Sequence, residues 1–155
     1  MVINIKKLKP NATIPTKGTK YSAGLDLYAC IDKPTKIRVG ETVKFSTGIG
    51  MEIPQGYVGL IFARSGLGIK NGLAPANKVG VIDSDFRGEL IVALHNDVTM
   101  NLTVFEPNIS NEYTVVPNER IAQIVIMPCV DAELNEVDEL NDTERGDGGF
   151  GSSGK

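Results

Sequence analysis

Seventeen glycines and eight prolines cut this chain into short pieces and leave little room for long helices. What remains between them is strand-sized. Apolar residues alternate or form short runs at Val2 to Leu8, Leu25 to Ile31, Thr42 to Phe45, Tyr57 to Ala63, Glu89 to His95, Leu102 to Phe105, Tyr113 to Val116 and Ile121 to Met127. Turn-forming residues separate them at Pro10-Asn11, Thr16-Lys17-Gly18, Val39-Gly40-Glu41, Pro54-Gln55-Gly56, Asn71-Gly72 and Pro117-Asn118. One helix of a turn or two fits, from Ser65 through Lys70, with Ser65 as its amino-terminal cap. With 155 residues and 16.6 kDa there is material for one hydrophobic core. The pattern predicts an all-β domain, a jelly-roll-like barrel or sandwich with one short helix and a mobile glycine-rich C-terminal arm.

Composition excludes several function classes. No apolar run reaches the length of a membrane span, and Met1 to Pro10 has no continuous apolar stretch ahead of a cleavage site. A cytoplasmic location is therefore expected. Cys30 and Cys129 form neither a disulfide framework nor a CxxC pair, and the lone His95 argues against a histidine zinc site. The net charge of -3 hides a gradient: residues 1 to 44 carry nine Lys/Arg against three acids, and residues 131 to 147 carry eight acids against Arg145. The lysines are dispersed and not interleaved with aromatics, so solvated strand faces are expected and nucleic acid is not. The acidic run reads as a solvated connector.

The chain divides into 1–141, the β domain, and 142–155, an arm. The arm ends Arg-Gly-Asp-Gly-Gly-Phe-Gly-Ser-Ser-Gly-Lys, too glycine-rich to build a core. A bare linker needs no Arg, Phe and Lys, whereas a lid closing over an anionic aromatic ligand does. Gly149 to Lys155 matches the first positions of a P-loop, but the hydroxyl residue and helix that must follow are absent.

Five segments combine glycine with functional side chains: AGLDLYA at 23–29, RSGLG at 64–68, GVIDSDFRG at 80–88, ERIAQ at 119–123 and RGDGGFGSSG at 145–154. Each alone has a structural explanation, such as a strand carboxylate satisfying loop amides or a surface ion pair. In this order, over nearly the whole chain, they resemble the five motifs of the trimeric deoxyuridine triphosphatases.

That resemblance implies hydrolysis of dUTP to dUMP and pyrophosphate, which keeps uracil out of DNA and supplies dUMP for dTMP synthesis. It implies attack of water on the α-phosphorus, with Mg²⁺ held mainly by the triphosphate and water. Phosphoryl transfer asks the protein to position water, align phosphates and neutralise charge. On this reading Asp83 orients the water and Gln123 helps hold it or an α-phosphate oxygen. Arg64, Ser65, Gly66, Gln123, Arg145, Gly151, Ser152 and Ser153 bind phosphates. Asn77, Gly80, Val81, Ile82, Asp83, Phe86 and Phe150 bind uracil and deoxyribose. Asp26 is an outer-shell metal candidate, whereas Asp85 and Arg120 are read as structural. Phe86 stands where the family usually has Tyr, Gly68 where Ala is common, and Asn118 where Gly is usual.

In the family each site takes the uracil hairpin from one subunit, the Arg-Ser and Gln motifs from a second and the tail from a third, in a C3 ring. A homotrimer in the cytoplasm of a bacterial or phage-infected host cell follows. Asp97 to Thr114 is longer than in compact bacterial members and reads as a surface insertion or, alternatively, a docking loop for a protein partner. A dCTP deaminase of the same fold group is the enzymatic alternative, but Gly66-Leu67-Gly68 lacks the further serine and arginine expected there.

Overall fold

The computed structural model describes residues 1–97 and 112–149. They form twelve strands and one short helix: β1 Asn4–Lys7, β2 Thr16–Lys17, β3 Leu25–Tyr28, β4 Thr35–Arg38, β5 Thr42–Ser46, β6 Ile49–Glu52, β7 Tyr57–Phe62, α1 Ser65–Asn71, β8 Leu73–Pro75, β9 Gly80–Ile82, β10 Ile91–Asn96, β11 Glu112–Val115 and β12 Arg120–Pro128. The largest sheet has the order β2-β3-β12-β7-β9, a second has β5-β10-β8, and β1-β6 and β11-β4 form two-stranded ribbons. Every pairing is antiparallel. The sheets pack as a jelly-roll type sandwich, as the turn spacing predicts.

Period-two patterning explains which side chains fill it. In β10, Val92, Leu94 and Asn96 point inward, and in β12 Ile121, Ala122 and Ile124 are buried with them. Phe45, Leu27, Ile37, Ile49, Leu73, Leu90 and Val115 complete a continuous core. Each such aliphatic side chain contributes roughly 1.5–3 kcal/mol on burial. Asn96 is tolerated there because its Nδ2 donates to the Ile37 carbonyl at 2.9 Å.

Two local expectations are corrected. Thr16–Lys17, read as turn, is strand β2, which pairs with Leu25 and Asp26. Ser65 does not cap α1: it is the first helical residue, and Arg64 holds the cap position in extended backbone without a side-chain bond. The helix ends at Gly72, whose φ of 63° lets its N–H reach Gly68 O at 3.1 Å. The short strands β4, β6, β8 and β9 carry no long alternation and are additions to the sequence reading. The run at Leu102 to Phe105 lies outside the described residues.

Candidate active site

Strand register assembles the first half of the site. Asp26 on β3 stands opposite Gln123 on β12, and Gln123 stands opposite Phe62 at the end of β7, just before Ala63-Arg64-Ser65. Motifs nearly a hundred residues apart therefore share one sheet end. Asp26 is only 8% exposed, and a buried carboxylate persists only if paired. It accepts from Arg64 Nε at 2.7 Å and from Arg120 Nη1 at 3.2 Å. Arg64 Nη1 also donates to the Arg120 carbonyl at 3.3 Å. A register shift between Arg120 and Ala122 inserts an extra residue into β12, which bends the strand where Arg120 must reach Asp26.

Gln123 donates from Nε2 to the Ala63 carbonyl at 2.9 Å, which leaves Oε1 pointing at Gly24. A Cβ on Gly24 would lie 2.5 Å from that oxygen, so the glycine of the first motif is required by the glutamine of the fourth. Gly18, Ser22, Asp26, Arg64, Ser65 and Gln123 line a cavity of about 180 Å³. Two guanidiniums against one carboxylate make it a cationic, hydroxyl-bearing recess suited to phosphate.

The second half lies on β9 and the loop after it. A Cβ on Gly80 would meet Asn77 Nδ2 at 3.4 Å, so the Asn77 amide sits over the strand. Val81 is exposed on β9, and Asp83 follows with its side chain in solvent. The Asp83 carbonyl accepts the Phe86 N–H at 3.2 Å, a turn that folds the half-exposed Phe86 ring back over Gly88, where a Cβ would lie 2.5 Å from it. Asp85 is exposed, and Arg87 braces the loop through the Ser84 carbonyl at 2.6 Å and Glu52 at 3.7 Å.

These halves do not meet within one chain. Gln123 is level with Phe62, whereas Ile82 is level with Gly59, which puts Asp83 one residue further, level with Val58. Four residues along β7 and two strand spacings separate Asp83 from Gln123, about 16 Å in all.

Arg145 is exposed and its Nε donates to Gly148 O at 2.8 Å, within its own turn. It does not line the cavity. Phe150, Gly151, Ser152 and Ser153 lie outside the described residues, as do residues 98–111 of the insertion, whose end, Glu112 to Thr114, belongs to β11. Among the described residues no group of three His, Cys, Asp or Glu could hold a metal ion. Both Asp26 oxygens are engaged by arginines. No helix among the described residues is long and apolar enough to cross a membrane.

Sequence reasoning placed Arg120 as an ion-pair centre, and the structure agrees. It missed Ser22 on the cavity wall and the pair formed by Tyr113 and Glu119. Tyr113 Oη donates to Glu119 Oε1 at 2.5 Å, and burial together with that carboxylate pushes the phenol up to about 12.

A jelly-roll sandwich with an arginine-bracketed recess suited to anions at one strand end, and an amide- and aromatic-bearing hairpin at the far edge, suits a β-fold enzyme that acts on a nucleotide. The comparisons give the family. The dUTPase family profile matches residues 10–154. The deoxyuridine 5'-triphosphate nucleotidohydrolase of Paraburkholderia phymatum is 43% identical over 158 residues, covering 100% of this chain and 99% of its own. The dUTPase of Staphylococcus bacteriophage 80alpha, solved with dUPNHPP, superposes with a TM-score of 0.83 at 33% identity and covers 99% of both chains. A substituted dUTPase from phage phi11 of S. aureus, described for its structural Mg(II) ion, gives 0.75 at 26% identity over 90% of this chain and 98% of that one. The chain belongs to the dUTPase family and is a dUTP diphosphatase.

Proposed function

We propose that three copies of this chain hydrolyse dUTP to dUMP and pyrophosphate in sites shared between subunits. The observation that carries this is the separation of about 16 Å between Asp83 and Gln123 in one chain. Both are needed at one water, so a second copy must supply the missing half. The Asn77 to Phe86 hairpin of one subunit takes the nucleoside, and the Arg64, Ser65, Gly66 and Gln123 cluster of the next takes the phosphates. The arm, 142–155, comes from the third, with Arg145, Gly151, Ser152 and Ser153 on phosphate and Phe150 stacked on uracil.

Asp83, exposed at the end of β9 and in no ion pair among the described residues, accepts a proton from the attacking water and aims its lone pair at the α-phosphorus. The bond from that phosphorus to the bridging oxygen breaks, and pyrophosphate leaves. Gln123 holds the water or an α-phosphate oxygen through the oxygen that faces Gly24. Two of the five N–H donors of Arg64 are committed to Asp26 and Arg120 O, which leaves three in fixed directions for phosphate. Mg²⁺ bound to the triphosphate would supply charge neutralisation, and Asp26 would meet at most its water shell.

Selectivity follows from the hairpin. The Asn77 amide and the backbone of Gly80, Val81 and Ile82 pair with the uracil edge, so that a mismatched base leaves buried polar groups unpaired. The Phe86 ring packs under deoxyribose and offers no partner to a 2′-hydroxyl. The product dUMP feeds dTMP synthesis, and removal of dUTP keeps uracil out of DNA in the cytoplasm.

A panel of dUTP, dTTP, dCTP and UTP with pyrophosphate detection tests this, on the full chain and on a chain ending at Asn141. Release from dUTP alone, lost on truncation, is expected; equal release from all four overturns the substrate reading. Ammonia release from dCTP would replace it with the deaminase.

A further inference from the structure

The fourth motif does not stand by itself: it is tied from behind to the strand that ends the insertion. Glu119 projects from the turn between β11 and β12 and is half-buried. Its Oε1 accepts the Tyr113 hydroxyl at 2.5 Å and its Oε2 accepts the Val116 N–H at 2.9 Å. The same turn is latched on its other side, where Ala29 N–H donates to Glu119 O at 2.8 Å and Asn118 N–H to Ala29 O at 2.9 Å. Asn118 holds a φ of 62°, and its Oδ1 accepts from Thr13 Oγ1 at 2.5 Å. What this braced turn delivers is Arg120, whose carbonyl accepts from Arg64 and whose guanidinium pairs with Asp26. The positive charge of Arg64 also acts on the Tyr113 hydroxyl, so the phenol and the phosphate-binding arginine are within each other's field.

Resting on the dUTPase reading, we propose that Tyr113 and Glu119 are positioning residues for the phosphate half of the site. Their hydrogen bond fixes the turn that holds Arg120, and through the Arg120 carbonyl and Asp26 it fixes the fork of Arg64. β11 pairs along its length with β4, Glu112 opposite Arg38 through Val115 opposite Thr35, so Tyr113 is held in register on that ribbon. A side chain locked in this way can hold another to the tolerance that phosphate recognition needs. The nucleoside half, on β9 and the loop after it, lies across the sheet and, among the described residues, has no bond to this pair.

The physical signature is a split between phosphate and nucleoside recognition. Tyr113→Phe keeps the ring and removes only the hydroxyl, which leaves one Glu119 oxygen without its donor. Competitive inhibition of dUTP hydrolysis by inorganic pyrophosphate should weaken roughly five- to tenfold, with KM for dUTP rising by a similar factor. Inhibition by deoxyuridine and kcat should stay within about twofold, because neither depends on the rest geometry of Arg64 in the same way. Glu119→Gln can keep both contacts, Oε1 accepting the Val116 N–H and Nε2 donating to Tyr113 Oη, and should stay close to the parent; Glu119→Ala removes both and should give the same split as Tyr113→Phe. It decides the matter should Tyr113→Phe fail to fold.

Pyrophosphate inhibition unchanged in folded Tyr113→Phe or Glu119→Ala overturns the proposal. So does equal weakening of pyrophosphate and deoxyuridine, the mark of general loosening. Failure of the parent reading looks different, since the unaltered chain would then not hydrolyse dUTP at all.

Discussion

Mixing two inactive variants should restore activity. Take Asp83→Asn, which removes the proton acceptor, and Gln123→Ala, which removes the water-holding amide. Within one chain these positions are about 13 Å apart along the strands and about 10 Å across them. Side chains stand roughly perpendicular to a sheet, so their lengths do not close this gap. Two groups that share one water can be no more than about 6 Å apart, twice a hydrogen-bond reach. On the proposed function, each working site then joins the Asp83 of one subunit to the Gln123 of another. Separately, each variant trimer carries a defect in every site. In trimers assembled at random from equal amounts of both, half the hairpins and half the clusters are intact, so about a quarter of sites pair an intact Asp83 with an intact Gln123. The assay is pyrophosphate release from dUTP by co-expressed, differently tagged chains purified through both tags. Selection for mixed trimers raises the fraction slightly, to about a third. Activity no greater than that of the separate variants would refute the shared-site reasoning, because it would mean that both residues serve the same chain's site.

Further outcomes follow from particular contacts. Gly24→Ala drives a Cβ to 2.5 Å from Gln123 Oε1 and 3.2 Å from Gln123 Cβ, so the amide must leave the Ala63 carbonyl. A stability loss of about 1–3 kcal/mol and at least a roughly tenfold fall in kcat/KM are expected by thermal melting and steady-state kinetics, whereas Gly68→Ala, with only ordinary contacts at 3.7 Å, should stabilise α1 by about 0.5–1 kcal/mol. Asp26→Asn leaves Arg64 and Arg120 without their shared charge, and should cost about 2–4 kcal/mol by denaturant unfolding and raise KM for dUTP. Glu89 is held below its ordinary value of 4.5 by the Ser46 hydroxyl, the Gly48 N–H and Lys9, so its contribution is present above that value and lost as pH falls through the lowered one. The melting-temperature gap between the parent chain and Glu89→Gln should therefore hold from about pH 7 down to the ordinary value of 4.5 and shrink only as pH falls below it; a constant gap would refute the linkage.

The large elements were legible because burial imposed a period. Val92, Leu94 and Asn96 alternate inward along β10, and Ile121 through Met127 marks β12 within a residue or two. Strand β4 escaped notice because only Ile37 of its four residues is buried, and β6 because Gly50 interrupts its apolar series beside the turn at Gly48. The bulge in β12 left no mark, since Ile121 and Ala122 are both apolar and both buried. Site residue types were visible as motifs, but their partners were not. Asp26 meets Arg64 from 38 residues away and Arg120 from 94, distances over which a sequence pattern specifies no pairing.

The ion-pair hub also explains how a cationic recess survives without its ligand. Two arginines facing one cavity repel each other, and a lone pair of guanidiniums would splay into solvent and need reordering when phosphate arrives. Asp26 removes that difficulty by taking Nε of one and Nη1 of the other, which leaves one net positive charge and a set of N–H groups already aimed. Gly24 allows Gln123 into the same corner, and Ser22 and Ser65 add neutral donors around it. The carboxylate that a metal-centred reading would assign to Mg²⁺ thus has a prior commitment to the protein's own cations. Arginine preorganisation accounts for why a buried Asp stands opposite Gln123 on neighbouring strands although neither bonds the other.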